Sequence, residues 1–232
     1  MPSLISTARK LPPPADSASL AEVAYARIRQ AITDGDLKPG ASLRETAVAD
    51  WLAMSRTPVR DALRRLESDG LLAHEAHRGA VVATLDESAI LELYAMREML
   101  EGNAAALASR NAREDELDTL RHIAAEEADA LDDVQRLVAI NRRFHQAIFR
   151  AAHNRYLLKM LNPVHDGIAI MGRSTLADPA RAREAHAEHL ELVELLAHRD
   201  AAGAEAVARR HSRGSLTARL QVQRELASGE KS

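Results

Sequence analysis

The hydrophobic residues near the start of the chain recur at helical spacing and are separated by turn signals. Apolar residues at every third or fourth position predict a first helix that follows Ser19 and ends at Gly35. Ser19 and Glu22 fit a capping box, in which each side chain accepts a hydrogen bond from the other residue's backbone N–H. Two further apolar runs predict a short helix around Trp51 and a third helix beginning at Ser55.

Beyond the third helix the pattern changes from helical spacing to two short extended runs. Residues 71–74 and 80–83 are apolar and partly β-branched, and they flank a tetrapeptide that ends in Gly79. This arrangement predicts a β-hairpin. Three helices followed by a hairpin is the element order of a winged helix-turn-helix.

From Asp86 onward the helical periodicity continues without another strand signal. Asp178 and Pro179 fit the N-cap and first position of a helix. Six helices are predicted, over residues 90–107, 114–131, 134–152, 156–171, 180–198 and 201–226. Their short connections favour an antiparallel bundle. The predicted fold class is therefore mainly α, with an N-terminal winged helix-turn-helix followed by an all-α antiparallel helical bundle.

Composition narrows the class of protein. Apolar residues make up 46% of the 232 residues, which suffices for buried cores. No apolar run is long enough to span a bilayer, and residues 1–18 lack the apolar stretch of a signal peptide, so we interpret them as a disordered tail. The absence of cysteine excludes a disulfide scaffold and a thiolate metal site. These features predict a cytoplasmic protein with no membrane partner.

A row of arginines on the third helix is the main candidate for nucleic-acid binding. The net charge is −3, so binding to DNA must depend on local charge. Arg56, Arg60 and Arg64 are four residues apart and share one helix face, away from the apolar positions. Arginine can bond a guanine edge in the major groove, and a helix N-terminus suits phosphate. The alternative is a solvated helix face with an Asp61–Arg65 surface pair.

Several segments of the N-terminal domain resemble the GntR family of bacterial repressors. They are residues 37–40 (LKPG), 55–63 (SRTPVRDAL), 66–71 (LESDGL) and the pair Arg78-Gly79. The resemblance implies a recognition helix that begins at Ser55, and a wing whose glycine approaches the DNA backbone. The residues predicted to contact DNA are Arg44, Ser55, Arg56, Thr57, Arg60, Arg64, Arg78 and Gly79.

Three positions depart from the pattern of that family. Thr46 stands where many members have an arginine that contacts DNA, which puts that contact in doubt. Arg44 replaces the usual small N-cap residue of the second helix. Ala53 replaces the usual turn glycine, so a modest strain is expected in the turn before the third helix.

Histidines on three of the later helices form the second candidate site. His145 shares an inward helix face with Asn141, His189 lies among apolar residues, and His211 follows Val207 by one turn. Buried polar groups need partners, and converging imidazoles suit a divalent metal. The alternative is three separately satisfied core histidines. His186 complicates the assignment because it shares a side with His189.

The later segments resemble the FCD effector domain, which occurs in the FadR branch of the GntR family. The matching segments are residues 94–101, 141–145, 188–189 and 208–211. The resemblance implies a divalent metal held by Asn141, His145, His189 and His211. Zinc is the first choice, with nickel, iron or manganese as alternatives.

The neutral Asn141 leaves the predicted site with about the full charge of its metal, which favours an anionic ligand. Small carboxylates are the natural candidates, and the resemblance points the same way. Arg97 is a candidate for clamping the effector's carboxylate. An Arg97–Glu101 salt bridge is the alternative.

Together the two candidate sites predict a transcription regulator rather than an enzyme. We expect a homodimeric repressor that binds a pseudo-palindromic double-stranded operator and responds to a small organic acid. The domain limits follow as a DNA-binding domain over 19–85 and an effector-binding and dimerisation domain over 86–228. The alternatives are a metal-dependent hydrolase and a helical interaction protein, although the chain has no His-Glu-x-x-His motif.

Overall fold

The computed structural model describes residues 19–229, and these divide into two compact units. The first unit contains residues 19–86 and the segment His165–Gly172. The second contains residues 87–164 and 173–229. The tail predicted over residues 1–18 lies outside the described residues.

The first unit has the element order predicted for a winged helix-turn-helix. Ser19 caps the first helix with a complete capping box to Glu22, as predicted. Leu72 pairs with Val82 in an antiparallel ladder, and Ser42 forms an isolated bridge to Val81. The elements are α1 (Leu20–Thr33), α2 (Glu45–Leu52), α3 (Arg56–Ser68), β1 (Leu72–Glu75) and β2 (Gly79–Val82). The three predicted helices and the hairpin are confirmed, with each strand displaced by one residue.

The turn between α2 and α3 carries the strain that the sequence predicted. Ala53 ends α2 in the left-handed conformation, with φ 52° and ψ 46°. A side chain in this region costs about 1–2 kcal/mol, and glycine would avoid that cost. Arg44 precedes α2 as its N-cap and makes no side-chain capping bond.

The second unit is a helical bundle, so the predicted mainly α fold class is confirmed. Asp178 caps α8 by accepting from the N–H of Ala180, and Pro179 follows at the first helical position, as predicted. In this unit α4 lies along α9, and α8 packs against α4, α5 and α9. Its helices are α4 (Glu87–Asn111), α5 (Glu114–Ala128), α6 (Val134–Ala151), α7 (Arg155–Ala169), α8 (Pro179–Ala197) and α9 (Ala201–Gly229), with a short 3-10 helix at Thr175–Ala177. The last residues of α7, from His165 on, group with the first unit.

The two units differ from the proposed domain limits in one segment. The first unit ends its main stretch at Asp86, next to the proposed limit, but it also includes residues 165–172. Ile170 joins the apolar core of this unit, and the Asp166 carboxylate accepts two hydrogen bonds of 2.6 Å from Arg29. Apolar spacing alone cannot reveal that grouping, because it depends on contacts distant in sequence.

Within residues 19–229, no helix combines the length and the hydropathy that a bilayer span requires.

Candidate DNA-reading helix and candidate metal centre

The apolar face of α3 fixes the direction in which its arginines point. Val59, Ala62, Leu63 and Leu66 are buried in the core of the first unit. Arg56, Arg60 and Arg64 lie off this face and are exposed. The cationic row therefore faces solvent, where a duplex could reach it.

The three arginines differ in their partners. Arg56 reaches Glu45 on α2 at 3.2 Å, although 66% of its side chain remains exposed. Among the residues that the structure describes, no ion pair involves Arg60 or Arg64. Since exposed ion pairs contribute little stability, Arg56 can exchange Glu45 for another anion at low cost.

The first turn of α3 retains polar groups that could contact phosphate. Ser55 is the N-cap residue, but its side chain makes no capping hydrogen bond, and both Ser55 and Thr57 are exposed. Backbone N–H groups at a helix N-terminus have no intrahelical partner and attract anions. Two hydroxyls and these N–H groups therefore flank the row of arginines.

Arg78 and Gly79 of the wing were predicted to contact DNA, but Arg78 has partners within the protein. Arg78 is exposed, but its guanidinium binds Glu75 at 2.6 Å and the carbonyl of Gly40 at 2.8 Å. Gly79 has φ +74°, which favours glycine, and a Cβ atom at this position would meet nothing within 4 Å among the described residues. Arg78 thus braces the hairpin in this structure, and a DNA contact would require it to leave these partners.

The three predicted histidines meet in the interior of the second unit. His145 on α6, His189 on α8 and His211 on α9 are all buried, and each offers one ring nitrogen within 4.8 Å of the others'. Phe144 stacks on the His189 ring at a centroid distance of 4.1 Å, which restrains that imidazole. The three histidines therefore form one cluster. They are not three separate core histidines, which was the alternative considered from the sequence.

Buried carboxylates lie within hydrogen-bond distance of Nδ1 in two of these imidazoles. Glu127 on α5 lies 2.8 Å from Nδ1 of His189, and Glu188 on α8 lies 2.9 Å from Nδ1 of His211. A carboxylate that accepts the Nδ1 proton leaves Nε2 with its lone pair. The Nε2 atom of His189 is buried and has no hydrogen-bond partner among residues 19–229.

Burial also affects the protonation of two members of the cluster. It lowers the pKa of His145 well below the usual range, and the neighbouring histidines and Arg97 lower it further against the opposing effect of Glu101. Burial likewise lowers the pKa of His211, with His189 as the next cause. Neutral imidazole is the form that coordinates a metal.

The fourth predicted ligand and the predicted effector clamp have other surroundings. Asn141 is half-buried, one turn before His145, and is not among the residues lining the cavity between the histidines. Glu101 lines that cavity instead, 3.9 Å from Nδ1 of His145. Arg97 is buried and binds Glu101 at 2.9 Å, which is the salt bridge considered as its alternative role. Both assignments from the resemblance stay predictions.

Comparison with known proteins identifies two families along the chain. The model of the FCD domain matches residues 92–214, and that of the bacterial regulatory proteins of the gntR family matches residues 20–82. This chain belongs to the GntR family and carries an FCD domain. The two matches cover the winged helix-turn-helix and most of the helical bundle.

Relatives of this GntR protein are regulators as well. The HTH-type transcriptional regulator YdhC of Bacillus subtilis is 31% identical over 174 residues, which span 73% of this chain and 77% of YdhC. The HTH-type transcriptional repressor GlaR of Escherichia coli is 26% identical over 81% of this chain and 90% of its own length. The solved structure of E. coli McbR/YncC has a TM-score of 0.78 at 26% identity, covering 89% of this chain and all of McbR.

These matches decide the class of protein. The chain is a DNA-binding transcription regulator of GntR/FCD type and not an enzyme, which excludes the metal-dependent hydrolase. Some FCD domains bind a metal. The three histidines of this FCD domain fit such a group, because their ring nitrogens converge and the buried Nε2 of His189 has no hydrogen-bond partner among the described residues.

The carboxylates around the cluster were missed at the level of sequence, although a signal for one of them was present. Glu127 falls on the inward face of α5, seven residues after Leu120 and three after Ala124. A charged residue at an apolar position indicates a buried partner. His186 also contacts Glu127, at 3.4 Å, because His186 and His189 are three residues apart and share a side of α8.

The same carboxylates change the charge predicted for the site. Glu101, Glu127 and Glu188 place carboxylates around the cluster, and the buried Arg97 and Arg181 each bind one of them. The metal ligands considered alone therefore overestimate the positive charge of this region.

Proposed function

We propose that this regulator is a homodimeric, cytoplasmic repressor whose operator affinity is controlled by a small carboxylate bound at a metal centre in its FCD domain. The observation that carries the proposal is the convergence of three buried histidine nitrogens in an FCD domain. His145, His189 and His211 would hold the metal, with Asn141 as a further candidate ligand. Zinc is proposed first, because neutral imidazoles and tetrahedral geometry suit it.

The DNA-reading part of the proposal rests on the exposed face of α3. Residues at the start of a recognition helix reach base edges in the major groove. We assign base contacts to Arg56 and Arg60 and phosphate contacts to Ser55, Thr57 and Arg64. Arg44, Arg78 and Gly79 are proposed as backbone contacts from α2 and the wing.

A metal with positions open to ligand would supply a Lewis-acidic site for the effector's carboxylate. The proposed protein ligands are all neutral and leave the ion's charge uncompensated within the ligand set, so an anion is preferred to a neutral ligand. Arg97 could contribute by exchanging Glu101 for the effector. An effector that stabilises one packing of the bundle can change operator affinity through a coupling energy of about 1–3 kcal/mol.

Dimerisation is supported by an apolar stripe on α4. Leu91, Ala95 and Met99 are four residues apart and exposed, and Met96 adjoins them. The exposed fractions are 43% for Leu91 and 45% for each methionine. A contiguous apolar surface of this kind marks an interaction site, and a second copy would cover it.

Titrating operator DNA tests the proposed regulation. We expect Zn²⁺-loaded protein to bind the DNA upstream of its own gene, as measured by fluorescence anisotropy, and to bind a scrambled duplex far more weakly. At least one member of a panel of small carboxylates should change operator affinity by about 5- to 150-fold. This change should disappear in protein stripped with EDTA. Equal responses of stripped and loaded protein to every carboxylate would contradict control through the metal.

Light scattering tests the dimer. The wild-type chain should have twice the monomer mass of 25.3 kDa. Met99→Glu places a charge in the apolar stripe and should shift the mass toward the monomer at micromolar concentration. Met160→Glu is the control, because Met160 is also an exposed methionine but lies on α7. A dimer of unchanged mass in the Met99 variant would show that another surface forms the interface.

A further inference from the structure

We propose that Glu127 and Glu188 are positioning residues of the metal centre, each fixing one histidine in the tautomer that presents Nε2 to the metal. This inference rests on the proposed metal site and concerns side chains that would not touch the ion. Its basis is the pair of short carboxylate–imidazole contacts, Glu127 to His189 and Glu188 to His211.

The first contact determines which nitrogen of His189 carries the proton. Both oxygens of Glu127 lie close to Nδ1, at 2.8 and 3.0 Å. An ionised carboxylate only accepts hydrogen bonds, so the contact of an ionised Glu127 places the proton on Nδ1. The lone pair is then on Nε2, the buried atom that has no hydrogen-bond partner among the described residues. Glu127 therefore aims a metal-binding lone pair into the cluster.

The second contact concerns Nδ1 of His211, which has both a carboxylate and a guanidinium group nearby. The Nδ1 atom lies 2.9 Å from Glu188 and 3.3 Å from the Arg181 guanidinium. Arginine only donates, so a bond from Arg181 to Nδ1 would move the ring proton to Nε2 and block a metal. The shorter contact to Glu188 favours the proton on Nδ1. Arg181 instead binds Glu188 itself at 3.0 Å and holds that carboxylate beside the ring.

Both carboxylates are buried, which gives them a fixed geometry. Glu127 comes from α5 and Glu188 from α8, and both side chains are nearly inaccessible. Each has another glutamate nearby on its own helix whose side chain is more exposed. Glu126 adjoins Glu127 and pairs with Arg143, and Glu191 follows Glu188 by three residues and pairs with Arg210. The sequence thus offers a matched control for each proposed positioning residue.

The test measures Zn²⁺ affinity of the full-length chain by competition with a chelator. Glu127→Gln removes the charge and lets the amide donate to Nδ1, which would put the proton on Nε2. Loss of such an outer partner lowers metal affinity by about 10- to 100-fold. Glu126→Gln should retain the wild-type affinity. Glu188→Gln and Glu191→Gln form a second pair with the same expected contrast.

The thermal midpoint distinguishes the positioning role of Glu127 from a purely structural role. The thermal midpoint in EDTA would fall for Glu127→Gln, and the rise on adding Zn²⁺ would equal that of wild type. The positioning role predicts instead a smaller rise with Zn²⁺. Equal Zn²⁺ affinities of Glu127→Gln and Glu126→Gln would overturn the inference while leaving the metal site intact. A wild-type chain that binds no Zn²⁺ would overturn both. If Glu127→Gln does not fold, the Glu188 and Glu191 pair decides.

Discussion

Replacing Arg60 with alanine is expected to weaken operator binding by about 1–3 kcal/mol, which corresponds to about 5- to 150-fold in affinity. The side chain is exposed on the leading half of α3, and no ion pair holds it among the described residues. Its removal therefore leaves the fold intact and deletes one contact to the DNA. Arg56→Ala should have a similar effect, reduced by the contact with Glu45 that the free protein gives up. Fluorescence anisotropy with operator DNA measures both.

Two further variants separate base reading from charge. Arg60→Lys keeps the charge but not the planar fork that bonds a guanine edge, so it should lose specific affinity and retain affinity for unrelated DNA. Arg121→Ala removes an exposed arginine from α5 and should leave operator binding unchanged. If Arg56→Ala and Arg60→Ala both bind the operator as tightly as wild type, α3 is not the recognition helix.

Replacing His189 with alanine is expected to abolish stoichiometric Zn²⁺ binding. His189 supplies one of the three histidine nitrogens that converge in the cluster. Loss of a ligand should lower the Zn²⁺ affinity by more than the 10- to 100-fold that is typical when a residue behind the ligands is removed. The wild-type protein should gain about 2.7 kcal/mol at a Zn²⁺ concentration 100 times its Kd. For a chain of this size, that gain raises the thermal midpoint by about 5–11 °C, and the variant should not show it.

His186→Ala is the matched control for this experiment. His186 is three residues away on the same helix and contacts the same carboxylate, Glu127, but it is not part of the three-histidine cluster. Its loss should leave the metal content and the Zn²⁺-dependent rise in the thermal midpoint close to the wild-type values. Elemental analysis after dialysis measures the metal. An alanine variant of His189 that retains one Zn²⁺ per chain would remove His189 from the ligand set.

The candidate DNA-reading helix could be predicted almost completely from the sequence. A helix with a large apolar face must bury that face, so the positions of Val59, Leu63 and Leu66 already determine where Arg60 points. The helix bounds depend on local signals, such as Ser19 in the capping box and Pro179 at the start of α8. The partners of Arg78 could not be anticipated, because Gly40 is distant in sequence and approaches only when the hairpin folds.

The candidate metal centre could be predicted only in part from the sequence. Periodicity placed His145, His189 and His211 on inward faces, and the structure brings those three together. Periodicity could not show whether Asn141 or Glu101 lies nearer to the histidines. Each residue is on a helix whose position is fixed only by packing against the other helices. Glu101 lines the cavity as a result of the packing of α4 against α6, α8 and α9.

The sequence by itself determined the order of the elements, the family and the outward face of α3, because these follow from apolar spacing, capping residues and a contiguous motif. The tertiary structure alone decided which carboxylates stand behind the histidines and which residues Arg97 and Arg181 neutralise. Those pairings join helices far apart in the chain. Local patterns specify which side of a helix is buried, whereas the packing of several helices specifies what each buried polar group meets.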